Sequence, residues 1–291
     1  MSGISAALPA VPLYLADSRT ETAHVTSFES SDPQTRLNTA YFQKVAANLT
    51  TPDKLLGDYR ALSVVLNAFG ISSDIQSTAL LRKLMTQDPT QSTSLANTLG
   101  DAKLQRFARA MNGFNPPPFG NAGDVTATIT AAATNSYEHS QDTLSPGLQQ
   151  ALYFNRTVGN VTTVNQLMSD PTLLKVAVVA AGLDVTQFGG LNFAQQQTIV
   201  TKTIKLSDFQ SPAKVNQMAE SFLVRQGQSS SGGTTTADMA LSLLNGTADG
   251  SGQSLLGALY GQTATSSTDI LSSLYPASST SGSDPMLQLF A

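Results

Sequence analysis

The 291-residue chain has no cysteine and no tryptophan, and only 12% of its residues are charged. Without cysteine there is no disulfide, no thiolate zinc site and no cysteine nucleophile, and neither an oxidising nor a reducing compartment is singled out. Aromatic residues make up 7%, which leaves little material for a rich enzyme pocket. A net charge of −4, with no clustering of Lys and Arg, gives no footprint for a polyphosphate, so no nucleic-acid partner is expected. No stretch approaches the roughly 20 apolar residues that cross a bilayer, so no transmembrane segment is expected. No basic residue precedes Arg19, and Pro9 and Pro12 interrupt the mildly apolar start, so a secretory signal is not expected either. Residues 1–27 read as an unstructured N-terminal extension, with Leu13, Tyr14 and Leu15 as an apolar anchor on the first domain.

The motifs of catalysis are missing in the same way. His24 and His139, the two histidines, stand in unrelated contexts, and no metalloprotease, nucleophile-elbow, phosphate-loop or dinucleotide pattern occurs. No catalytic residue, no metal site and no cofactor is therefore expected. Carboxylates that converge from distant segments leave no motif, so a hydrolase built that way stands as an alternative.

What the chain does have is repetition. Tyr41 to Ile71 and Tyr153 to Leu183 align without a gap at an offset of 112, with Tyr, Phe, Asn, Thr, Thr, Leu, Asp, Leu, Val, Ala and Gly recurring in register. Such a match reads as a tandem duplication. The grammar inside each copy is helical. Asp32 precedes Pro33, and Ser145 precedes Pro146, as a cap precedes a first helical residue. Thr51 and Thr163 then cap short helices, with Thr163 and Gln166 at capping-box spacing. Asp58 and Asp170 cap the next helix; Pro171 directly after Asp170 favours a first turn over a helix interior, and Gly70 and Gly182 end it. Asp101 and Ser211 cap the last helix of each copy, where Leu104, Phe107, Ala108 and Met111 pair with Val215, Met218, Ala219 and Phe222. Gly189 and Gly190 mark a longer loop in the second copy.

The fold expected is all-α, two tandem copies of a multi-helix repeat of about 110 residues followed by a flexible Ser/Thr/Gly-rich C-terminal tail. Repeat 1 spans 28–114 and repeat 2 spans 141–227, with 115–140 between them as a proline-rich spacer and a bridging helix over about 124–140. The low-complexity tail, 228–291, carries its own periodicity. Leu241 and Leu244, then Leu256, Leu259 and Tyr260, then Leu271, Leu274 and Tyr275, then Met286, Leu289 and Phe290 recur at a step of 15 residues. This is an L-x-x-L-aromatic motif, with Asn245 the one departure at the aromatic place. Each motif is too short to hold a helix alone in water and suits docking into a groove, so the tail is expected to be a multivalent array for protein partners. Docking onto this chain's own helices is the equal alternative.

Several segments in order, TTPDKLLGDYRALSVVLNAFGI, LLRKLMTQDP, SLANTLGDAKLQRFARAMNGF, then QALYFNRTVGNVTTVNQLMSDPTLLKVAVVAAGL with LSDFQSPAKVNQ, resemble a bacterial family of the domain-of-unknown-function type met in Alphaproteobacteria. The resemblance runs over about 28–227 and brings no catalytic residues. Members are often encoded near flagellar genes. The resemblance implies a non-enzymatic helical component or exported accessory of the flagellum, or a cytoplasmic assembly or chaperone-like factor.

Overall fold

Asp32, extended at φ −73 and ψ 118, separates the first two helices of the chain, α1 (Ala10–Ser31) and α2 (Pro33–Val45), and its side chain accepts from the Thr35 N–H at 2.7 Å. A computed structural model describes residues 9–114 and 116–231. After α2 come α3 (Pro52–Gly57), α4 (Tyr59–Phe69), α5 (Thr78–Thr86), α6 (Leu95–Leu99), α7 (Ala102–Ala110) and the long α8 (Ala122–Leu144). Then follow α9 (Leu148–Thr157), α10 (Val164–Met168), α11 (Pro171–Ala180), α12 (Val185–Gly189), α13 (Phe193–Thr203) and α14 (Pro212–Ser231). Among the described residues there is no strand, and no helix is long and apolar enough to cross a membrane.

The local rules repeat at the offset of 112. Thr51 accepts from Lys54 N–H and Thr163 from Gln166 N–H; Asp58 accepts from Ala61 N–H and Asp170 from Leu173 N–H. Both helices that follow end the same way. Gly70 (φ 68) and Gly182 (φ 82) take the left-handed conformation that a side chain disfavours, and the next N–H reaches back, Ile71 to Leu66 and Leu183 to Val178.

The described residues group as one unit, and inside it lie two large apolar cores and a small cluster of Val25, Ala133 and Tyr137. Phe42, Leu55, Leu62, Leu66, Leu81 and Met85 centre the first; Phe154, Leu167, Leu173, Val176, Val200 and Phe222 centre the second. Full burial of each such side chain contributes about 1.5–3 kcal/mol before entropy is subtracted. An edge-on aromatic pair closes each core, Phe42 with Phe119 at 5.2 Å and Phe154 with Phe209 at 6.0 Å.

Those aromatic pairs correct the helix pairing expected from sequence. The helix after Phe119 is α8, which packs on α2 and α4; the helix after Phe209 is α14, which packs on α9 and α11. α14 is therefore placed as α8 is, on the helices that carry the 112-residue match, while α7 packs against α4, α5 and α6. Leu104 and Val215 share only a helical spacing, which many amphipathic helices share.

Other expectations change too. The helix expected over about 124–140 is present and longer: α8 runs from Ala122 to Leu144 and places Ile129 and Ala132 in the first core. Residues 10–31 are helical, not unstructured, and Tyr14 anchors in the second core rather than the first. Ser145 does not cap a helix at Pro146. α9 starts at Leu148 after Gly147 (φ 97), and Asp142, from the preceding helix, accepts the Gly147 N–H at 2.8 Å. Gly189 closes a short helix that Asp184 caps, so this stretch is not a plain loop. The tail motifs from Leu241 to Phe290 lie outside the described residues.

Candidate functional site at the junction of the two halves

Asp101 accepts from the N–H groups of Lys103 and Leu104, which fixes the first turn of α7. That turn faces the second half. Ala102 N–H donates to the Ser169 carbonyl at 2.8 Å, Lys103 Nζ to Thr172 Oγ1 at 3.1 Å, and Arg106 Nη2 to the Tyr153 hydroxyl at 2.7 Å. Tyr153 in turn donates to Asp170 Oδ2 at 2.7 Å, and Lys103 Nζ sits 4.7 Å from the centre of its ring. Asp170 thus has two tasks, an N-cap on one oxygen and a tyrosine acceptor on the other. Burial, then the Asp170 charge, raises the Tyr153 hydroxyl above its ordinary pKa, with Arg106 opposing. Ser211 stands before Pro212, where its carbonyl accepts the Val215 N–H at 3.0 Å.

A second polar group joins α1, α8 and α9. Glu138 is 1% exposed and takes Arg156 at 2.9 Å, an arginine whose side chain is still 36% exposed. Glu21 lies against the same carboxylate. Burial first, and the Glu138 charge second, push Glu21 up to about 7, with Arg156 opposing. Glu138 is also raised, by burial, against the pull of Arg156. One turn away, Tyr137 donates to Asp17 Oδ1 at 2.9 Å, and His24 Nδ1 lies 3.1 Å from both. Asp17 Oδ2 and Glu21 Oε1 are buried without a hydrogen-bond partner among the described residues.

Thr20 Oγ1 is 3.3 Å from His24 Nε2, so a hydroxyl, an imidazole and a carboxylate stand in series. A hydroxyl has one proton, and Thr20 donates it to the Ala16 carbonyl at 3.0 Å. Thr20 is also the bend of α1 (φ −130, ψ 20). All three groups stand around that bend.

Between the halves lies a cleft of about 590 Å³ lined by Asn67, Lys103, Asn135, Glu138, Tyr153 and Thr172, among others. Two of its amides join α4 to α8: Asn67 donates to Ala132 O and Ser136 Oγ, and Asn135 to Asn67 O. Among the described residues no three or more His, Asp or Glu side chains are placed to hold a metal ion.

Sequence reasoning placed Asp58, Asp101 and Asp170 at helix starts, and there they stand. It missed the tyrosine partners of Asp58 and Asp170, and it missed Asp17, Glu21, Glu138 and Arg156 altogether. A signal existed: Asp17, Glu21 and His24 share one face of α1 with Tyr14 and Val25. Asn155 lies inside α9 and bonds Tyr14 and Asn216.

Fold and junction together define an all-helical protein with two cores tied by buried polar groups. A family model described as Protein of unknown function (DUF1217) matches residues 68–215, just over half of the chain, and the chain belongs to that family. The crystal structure of protein AGR_C_984 from Agrobacterium tumefaciens has the same fold, with a TM-score of 0.67 at 19% identity over 78% of this chain and 98% of that one. None of the curated proteins searched matches this chain.

Proposed function

We propose that this protein is a non-enzymatic helical scaffold, built by internal duplication, that works by binding protein partners through its C-terminal repeats. The observation that carries the reading is how the polar groups of the junction are engaged. Tyr153, Arg106 and Asp170 bond one another, as do Tyr137, Asp17 and His24. Their chemistry goes into holding helices together. Identical hydrogen bonds 112 residues apart support the duplication, and the 15-residue period of the L-x-x-L-aromatic motif supports a multivalent tail.

The sequence resemblance connects the scaffold with the bacterial flagellum, as a component or as an accessory exported through the flagellar route. Fractionation tests this: the protein is expected in purified flagella or culture supernatant only when the flagellar export apparatus is intact. Retention in the cytoplasm under both conditions favours an assembly or chaperone-like factor that holds its partner with the same tail.

A further inference from the structure

The first five residues of α1, Ala10-Val11-Pro12-Leu13-Tyr14, lie on the second core along the groove between α9 and α14. Tyr14 is fully buried there. Its hydroxyl donates to Asn216 Oδ1 at 2.7 Å and accepts from Asn155 Nδ2, and Asn155 also donates to Asn216 Oδ1 at 2.7 Å. Ala10 and Leu13 pack against the same core, so the docked set stands at positions i, i+3 and i+4 of one helical face.

That set has the spacing of the tail motif. Ala10, Leu13 and Tyr14 correspond to Leu256, Leu259 and Tyr260, and again to Leu271, Leu274 and Tyr275. In both repeats the Leu-Tyr dipeptide is kept and the first position grows from alanine to leucine, which adds apolar area to bury. The groove offers what such a segment needs: an apolar floor and two amides placed for a tyrosine hydroxyl.

The present occupant buries polar atoms along with its apolar ones. Beyond Tyr14 the inward face of α1 carries Asp17 and Glu21: Asp17 is tied to Tyr137 and His24 through Oδ1, while Asp17 Oδ2 and Glu21 Oε1 are buried without a hydrogen-bond partner among the described residues, and unmet buried acceptors weaken a contact. The bend at Thr20 divides this docked half from the half that packs Val25 on Tyr137.

We propose that the α9–α14 groove is a docking site for helical Leu-Tyr segments, filled by α1 in the single chain and by an L-x-x-L-Tyr repeat of a second copy when α1 lifts off. This rests on reading the repeats as docking segments, and it names their partner. With two such repeats per chain, exchange of this kind links copies head to tail.

Two measurements test it on the full-length protein. A labelled synthetic peptide of residues 252–264 is titrated against the wild-type chain and against Tyr14→Phe, which keeps the ring and loses only the hydroxyl that ties α1 down. Binding to Tyr14→Phe is expected to be at least threefold tighter, and a Tyr260→Ala peptide is expected to lose at least tenfold. In sedimentation velocity Tyr14→Ala is expected to self-associate more than the wild type, and excess peptide is expected to reverse it. The proposal is overturned if the peptide binds neither chain, or if binding ignores both tyrosines. If that happens while tail deletion still abolishes capture of another protein, the tail remains a docking array and only the groove assignment falls.

Discussion

Tyr153 donates its hydroxyl to Asp170 at 2.7 Å, and 112 residues earlier Tyr41 donates to Asp58 at the same distance and the same separation of 17 residues. Each pair ties the first helix of a half to the cap of its central helix. The surroundings then diverge. Arg106 and Lys103 of α7 cover the second pair, whereas the first has Arg60 beside Tyr41 and an exposed Tyr59 next to Asp58.

Tyr153→Phe is expected to cost about 1–3 kcal/mol, because it leaves an oxygen of the buried Asp170 without its donor. Tyr41→Phe is expected to cost less, since water can reach Asp58. Urea unfolding of both variants beside the wild type measures the difference; equal losses would contradict the unequal burial of the two pairs.

Arg106→Ala removes the donor that links α7 to Tyr153 and loosens the seam between the halves. Hydrogen exchange is expected to speed up at the start of α11 and in α7, while amides in the centre of α4 keep their protection. Uniform acceleration across both cores would show that the two halves open as one.

The pH dependence follows from Glu21. Its pKa in the folded chain is raised to about 7, chiefly by burial. The stability it contributes is present below the ordinary carboxylate range and is lost as pH rises through about 7. Glu138, also raised, acts in the same direction. Glu21→Gln cannot ionise, so its melting midpoint is expected to exceed that of the wild type at pH 8 and to approach it at pH 5. A wild-type advantage at pH 8 would mean that Glu21 is stabilised as a charge.

Deletion of residues 235–291 is expected to leave a cooperative melt with its midpoint within a few degrees of the full chain. The two cores are complete within residues 10–223. Loss of the cooperative transition would show that the tail braces the cores in the same molecule.

The parts legible in the sequence were those written in local chemistry. Asp32-Pro33, Thr163 with Gln166, Asp170-Pro171 and the two glycines at 70 and 182 each state a helix boundary within four residues. What was not legible depends on partners far along the chain. α1 looked unstructured because its inward face carries Asp17 and Glu21 where a buried helix usually carries leucine, and their partners Tyr137, Glu138 and Arg156 come from α8 and α9. α8 looked like a connector because its alanines give no strong apolar stripe, although small residues are what let it lie close to α4. The false pairing of α7 with α14 came from spacing alone; only the contact of Phe209 with Phe154, matching Phe119 with Phe42, separated them.

Affinity capture with three forms of the chain tests the central claim most directly: full length, residues 1–234, and full length with Leu256, Leu259 and Tyr260 changed to alanine. If the tail is a multivalent docking array, the truncated form loses the captured proteins and the triple variant retains them partly. Equal capture by all three forms would contradict it and would move the binding surface onto the helical cores.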